Sequence, residues 1–381
     1  MEKQLPKTAI IRSSGFNVFA CRIGGLYLLE RNIRLLWHSG VTAVYLDLDE
    51  AEQKFYSERI FKRVKSLKGM TIVPFSGKAA KNEHLLIGSS DFLQYYNLLN
   101  FTGYFKKKGS LSFVPNSEIV TIKNGNQAVA AEKTALEHIR LSAGGFFART
   151  INKRISLPIS RFLSKLNIHP NVLTFLNFGI MIFGGSLLWT GGHVSQIVSG
   201  AIFQFVSIFD GCDGEVAKLN CRFSRIGSIF DTVNDYTCLL FYFSGISYVY
   251  YKTIGSGSLI IVAAIGFAGI LVMMGAIIAY LVKFSNTGSF VAYNREFMDK
   301  LPKSDPVVRF IDCMQYLTRK EFYSWVAFLV SIPGAIYLMV PYVAVSTSVG
   351  GILLLILDIR YFPKLPQVRK NTAMTYISRR S

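Results

Sequence analysis

Acidic side chains are scarce here, and their placement is uneven. The 381 residues hold 23 Asp and Glu against 42 Lys and Arg, for a formal net charge of +19, and no acid occurs between Glu137 and Asp210. Cysteine is also sparse. The five, at 21, 212, 221, 238 and 313, form neither a CxxC pair nor a disulfide framework, which excludes a stapled secreted scaffold and leaves reduced thiols in or facing the cytosol. The five histidines, at 38, 84, 138, 169 and 193, are scattered and make no ligand set, which excludes a zinc centre built on them; His169 reads as interfacial. The N-terminus has a polar start and only short apolar runs, so no signal peptide is expected. Repeats and low-complexity tracts are absent, which removes solenoids and tails from consideration. The positive charge raises the question of nucleic acid, but no recognised motif supports it. The basic residues cluster beside apolar spans, where lipid headgroups and phosphorylated substrates are the natural counterparts.

What the chain has in quantity is apolar sequence. Half of it, 51%, is hydrophobic, concentrated in the second half as in an integral membrane protein. Six spans are expected, at 172–190, 194–219, 226–251, 259–282, 322–340 and 342–359, with Pro341 as a turn or kink between the last two. Lys218, Arg222 and Arg225 follow the second span, seven Lys or Arg lie from Lys283 to Lys320, and six from Arg360 onward. The opposite connections, TGGHVS and YKTIGSGS, hold one Lys. The positive-inside rule then puts both termini, and the aspartates at the join of the second and third spans, on the cytoplasmic side, most simply of the cell inner or plasma membrane.

Against that apolar background stands DGCDGEVAKLNCRFSRIGSIFDTVND, residues 210–235. Asp210 and Asp213 are three apart and Asp231 and Asp235 four apart, so each pair lies on one face of its own helix. A carboxylate inside a bilayer costs several kcal/mol, roughly 3 on insertion scales, unless it is paired or bound to metal. Two helices joined by a hinge near residues 220–225 would aim four hard oxygen ligands into one cleft, which suits one or two Mg²⁺ or Mn²⁺ ions. Gly214, Ala217 and Gly227 leave room for a ligand or a close helix approach. A charge cluster serving an ion pathway, or helix packing alone, is the alternative use of these acids.

The run resembles the CDP-alcohol phosphotransferase signature DxxDGxxARx8GxxxDxxxD, with Asp210, Asp213, Gly214, Ala217, Gly227, Asp231 and Asp235 in place and Lys218 where the family has Arg. A lysine keeps the charge but not the bidentate fork of guanidinium. The resemblance implies a membrane transferase that breaks a CDP-alcohol diphosphate, passes the phosphoalcohol unit to an acceptor alcohol and releases CMP. It also implies that Asp210, Asp213, Asp231 and Asp235 hold metal, Asp235 acts as general base with Asp231 beside it in the catalytic set, and Lys218 with the small residues meets the nucleotide. CDP-diacylglycerol or a similar lipid donor, in phospholipid synthesis, is the leading expectation; a soluble CDP-inositol-like donor is the alternative. A homodimer is in keeping with the family. The upstream run INKRISLPISRFLSKLNIHPNVLTFLN also looks like the family, and implies that Asn171 and Thr174 line the nucleotide site. Capping of a helix by Asn171 after Pro170 is the other reading.

From Arg140 to His169 the chain carries six Lys and Arg, with Phe146, Phe147, Ile151 and Ile155 near helical spacing and Pro158 interrupting. Residues 141–170 read as interfacial amphipathic helices with basic faces toward lipid phosphate. Residues 1–140 alternate in character. TAIIRSS, AVYLDLD, MTIVPF and HLLIGSSDFL read as strands, with a helix from Gly24 to Ser39, an α/β Rossmann-like fold. RIGGLYLLERNIRLLWHSGVTAVYL is similar to the nucleotidyltransferase pattern, in which Asp91 would occupy a metal-binding place; a turn role is the alternative. Where that pattern has a glycine-rich phosphate loop, RSSGFNVFACR has one glycine with Phe16, Val18 and Phe19 in the way, so nucleotidyl transfer is expected to be reduced or lost. Asn124 and Gly125 read as a hairpin turn, and a helix is expected over 128–141. The expected division is 1–140, the interfacial helices at 141–170, a six-helix membrane domain at 171–361 and a basic tail at 362–381.

Overall fold

The computed structural model describes residues 7–15, 20–38, 40–75, 84–89, 91–92, 120–141, 143, 148–222, 224–255, 258–285, 293–294, 297–314 and 319–364. Phe16, Val18, Phe19, Phe146, Phe147 and the basic tail beyond 364 lie outside them.

The N-terminal strands are short alternating runs of β-branched and aliphatic residues. β1 (Thr8–Arg12), β4 (Ala43–Asp47), β5 (Thr71–Pro74) and β6 (His84–Gly88) form one parallel sheet in the order β5-β4-β1-β6. The small ribbon β2 (Arg22–Ile23) and β3 (Leu26–Tyr27) precedes α1 (Leu28–His38), turning through Gly24 and Gly25 at φ +58° and +81°. α1 therefore starts four residues later than expected. Between β4 and β5 runs α2 (Glu50–Phe55), a π-helical turn Tyr56–Ile60 and α3 (Phe61–Val64). Ala9, Ile11, Ile33, Leu36, Val44 and Ile60 form a dry core. Burying each of the larger ones is worth about 2 kcal/mol.

The last expected strand divides. After β6, a turn leads to β7 (Asp91–Phe92), which pairs with β8 (Val120–Thr121). The expected Asn-Gly hairpin is not formed. Gly125 opens α4 (Gly125–Leu141), and the Asn124 side chain accepts the Gln127 amide at 3.0 Å. An Asn followed by a run of helix formers serves as a cap more readily than as a turn, because no second strand follows.

α5 (Lys153–Lys165), entered through a π-helical stretch Ala148–Asn152, runs on through Pro158, which therefore does not interrupt it. Its basic face is also not wholly turned outward. Lys153 pairs with buried Glu215, and Arg161 with Glu132 at 2.6 Å. Arg154 and Lys165 remain exposed beside Ile155, Phe162 and Leu166.

The helical half follows. α6 (Pro170–Ser186, extended by a 3-10 turn Leu187–Thr190), α7 (His193–Leu219), α8 (Arg225–Ile254), α9 (Ser258–Lys283), α11 (Lys320–Ser331) and α12 (Met339–Tyr361) pack around Met181, Phe203, Tyr242, Phe243, Ile270 and Val340, while α10 (Pro306–Met314) packs through Val308 in a second core with Tyr280, Leu281, Phe297 and Leu357. Among the described residues four segments are long and apolar enough to cross a membrane: Pro170–Thr190, His193–Leu219, Ile260–Lys283 and Ile336–Tyr361. α8 has the length but mixes five tyrosines with Asp231, Asn234 and Asp235, and α11 spans only 12 residues. The break expected at Pro341 falls earlier, at residues 332–335, where Gly334 takes φ +76°. Pro341 sits in the first turn of α12, where its missing N–H costs no helical hydrogen bond.

Candidate metal and phosphate site

The site is built where α6, α7, α8 and α11 converge. Each helix start is set locally. His169 caps α6, its Nδ1 accepting the Asn171 amide at 3.2 Å with Pro170 in the first turn. The cap is thus His169, and Asn171 is an exposed first-turn residue. Ser224 caps α8 by accepting the Gly227 amide at 3.0 Å. The join between α7 and α8 spans residues 220–224, as the hinge reading expected.

Asp210, Asp231 and Asp235 each offer an oxygen, and the three oxygens lie within 4.8 Å of one another. Asp213 stands outside this grouping. It accepts the Thr174 hydroxyl and the Gly214 amide, which orients it from α6. Asp210 accepts Asn177 Nδ2 at 2.9 Å and faces the Lys320 ammonium at 3.1 Å, and Lys320 also pairs with Asp235. Asp231 Oδ1 is buried with no hydrogen bond. Such an orphaned carboxylate oxygen is costly unless a cation or donor meets it.

Gly214 is exposed, and a Cβ added there would meet nothing within 4 Å. A Cβ on Gly227 would lie 2.8 Å from the Ser224 Oγ that caps α8, and at ordinary contact distance, 3.5 Å, from Asn171 Oδ1. Ala217 is half-buried and Lys218 exposed on the same helix. Thr174 is buried against the acids, whereas Asn171 lies at the rim.

Three contributors were not legible beforehand. Asn177 carries a faint signal as a polar residue within an apolar span. In the sequence Lys320 is only the end of a basic stretch; its place between two acids is decided by where α11 packs. Glu215, inside the motif, is 1% exposed and is held by Lys153 and by the Ser156 hydroxyl at 2.6 Å. In the N-terminal half, Asp91 accepts the Gly88 amide and the Thr121 hydroxyl, each at 2.8 Å, so its oxygens serve the β6–β7 turn and the β7–β8 pair.

Residues 167–346 match the CDP-alcohol phosphatidyltransferase family. The chain is also similar to proteins named bifunctional IPC transferase and DIPP synthase. That of Archaeoglobus fulgidus is 31% identical over 115 residues, covering 30% of this chain and 22% of the relative. That of Aquifex aeolicus is 33% identical over 103 residues, covering 27% and 22%. That of Thermococcus kodakarensis is 35% identical over 97 residues, covering 26% and 21%. The chain thus matches little more than a fifth of the length of these relatives.

Proposed function

Because residues 167–346 match the CDP-alcohol phosphatidyltransferase family, we propose that this chain transfers a phosphoalcohol group from a CDP-alcohol to an acceptor alcohol with release of CMP. The observation that carries the reading is the convergence of Asp210, Asp231 and Asp235 within 4.8 Å, at the acidic positions of the motif. Three hard oxygen donors, beside an Asp231 carboxylate with an orphaned buried oxygen, fit Mg²⁺ or Mn²⁺. Asp210, Asp231 and Asp235 would hold one ion, with Asp213 completing a set for a second. A bound divalent cation supplies charge neutralisation to the diphosphate and the departing CMP.

The protein's own groups do the rest. Asp235 takes the proton of the acceptor hydroxyl as its oxygen bonds to phosphorus and the bond to CMP breaks. Thr174 holds Asp213, and Asn177 holds Asp210, so the acids are oriented before substrate arrives. Lys218 offsets diphosphate charge, and Gly214, Ala217 and Gly227 admit the nucleotide to the backbone, with Asn171 at the rim. The cytoplasmic face of a membrane is the natural setting, by the distribution of Lys and Arg. We place the N-terminal unit at 1–140, the interfacial helices at 141–170 and the membrane domain at 171–361.

The donor divides into two readings. A phosphatidyl transfer from CDP-diacylglycerol suits a cleft flanked by apolar helices. A soluble CDP-polyol donor, CDP-inositol-like, is supported as much by the similarity to IPC transferase and DIPP synthase proteins. Purified protein in detergent with Mg²⁺ would be offered CDP-diacylglycerol or CDP-inositol with a panel of alcohols and alcohol phosphates. CMP release with a product extracted into organic solvent supports the first, and CMP release with a water-soluble product the second. No release from any donor would overturn the transferase reading.

A further inference from the structure

The join between the two acid-bearing helices is packed into the α/β unit. Arg31, 4% exposed on α1, donates from Nη1 to the Leu219 carbonyl at 2.7 Å, at the C-terminus of α7. His38, at the end of α1, meets the Cys221 carbonyl through Nε2 at 2.9 Å. A carbonyl only accepts, so the imidazole is the donor. Cys221 takes φ +47° and its side chain belongs to the core formed by Ile33, Leu36 and Val41. Asn220 Nδ2 donates to the Ser164 carbonyl at 3.3 Å, and a Cβ on Gly24 would lie 2.9 Å from the Leu219 carbonyl oxygen.

The Arg31 contact satisfies a carbonyl that the helix end leaves without a partner, where the helix dipole favours a cation, and His38 satisfies the carbonyl two residues beyond it. They also hold a non-glycine residue in the left-handed region, which costs roughly 1–2 kcal/mol without support. Neither feature is needed merely to rest a soluble unit on a membrane domain. We propose that α1 is a positioning element of the transferase: Arg31 and His38 set the angle at which α7 and α8 leave their join, and thereby the separation of the two acid pairs. This rests on the transferase reading above. Asp213 and Asp231 lie about 9 Å from the ends of their helices at the join, so a tilt of about 5° displaces them by nearly 1 Å. A misplacement of that size costs on the order of a hundredfold in rate.

The test uses the full chain in detergent and compares Arg31→Met, His38→Ala and His38→Gln with the parent. Mn²⁺ affinity is read from the electron paramagnetic resonance of free Mn²⁺, and CMP release supplies kcat and KM. Arg31→Met and His38→Ala are expected to weaken Mn²⁺ binding about tenfold and to lower kcat by more than they raise KM. His38→Gln keeps an N–H for the Cys221 carbonyl and should recover most of both. Parent-like Mn²⁺ binding and kcat in Arg31→Met and His38→Ala would overturn the proposal. Should those variants fail to fold, hydrogen exchange on the unaltered protein decides. The Asn220 and Arg222 amides should be protected like those of β1 and β4, and exchange as fast as at residues 252–255 would overturn it. Weakened Mn²⁺ binding in the variants alongside a parent that releases no CMP would count against the transferase reading alone and would support the positioning role.

Discussion

The Lys320 ammonium stands between Asp210 and Asp235, 3.1 Å from an Asp210 oxygen, so the acidic cleft carries a cation of its own from α11. Two like charges that share these oxygens compete. Replacing Lys320 with Met should therefore tighten Mn²⁺ binding by about tenfold, or 1.4 kcal/mol, at low salt. A titration of Mn²⁺ against parent and variant checks it, and unchanged affinity would place the lysine outside the ion's field.

Asp231 and Asp235 are the most sensitive positions. Asn at either keeps the shape and removes the charge, so CMP release should fall by at least about a hundredfold while the helical circular dichroism is unchanged. Asp231→Asn should also lose Mn²⁺ binding, because its buried Oδ1 has no other partner.

Thr174 acts through Asp213. Thr174→Val removes the hydroxyl that donates to that carboxylate, and a charge-assisted hydrogen bond of this kind is worth about 1.5–3 kcal/mol. CMP release should drop roughly tenfold, and Thr174→Ser should restore it. Equal loss in Ser and Val would point to packing of the methyl group instead.

Lys153 and Glu215 form a buried pair between α5 and α7. Lys153→Met alone strands a buried carboxylate and should cost about 3 kcal/mol. Replacing both by Met should recover most of that loss, as a thermal melt of the three variants would read.

His38 makes stability depend on pH. Burial, with the hydrogen bond to Cys221 opposing and the Arg34 charge assisting, lowers its pKa from 6.5 to about 4. The unfolded chain then binds a proton near pH 6.5 that the folded chain refuses until about pH 4. The contribution is full above pH 6.5 and is lost as pH falls through that window, by up to about 3 kcal/mol. Denaturant melts at pH 7.5 and 5 should show the difference shrink in His38→Gln. An equal loss in parent and variant would assign the effect to other groups.

Much of this was readable from spacing. Asp210, Asp213, Asp231 and Asp235 announce two helix faces by their separations alone, and three of them share one cleft, while the parallel strands announce themselves by β-branched alternation. The misreadings share a cause. Asn124-Gly125 and Pro341 were assigned from local chemistry that suits two conformations, and the neighbours in space chose between them. Asn124 became a cap because a helix followed, and Pro341 fell inside a first turn because the chain had already broken at Gly334.

The order of acids along the chain, the apolar runs between them and the positive flanks are one-dimensional facts, and they determined the class of helices and the match of residues 167–346 to a CDP-alcohol phosphatidyltransferase model. Which acid meets which cation is a matter of helices packing in three dimensions. Lys320 lies 85 residues beyond Asp235 and Arg31 lies 188 before Leu219, and no local periodicity links them. Only the tertiary structure brought Lys320 into the cleft, turned Asp213 toward Thr174 and seated Cys221 in the α/β core, because those contacts are fixed by close packing between elements rather than within them.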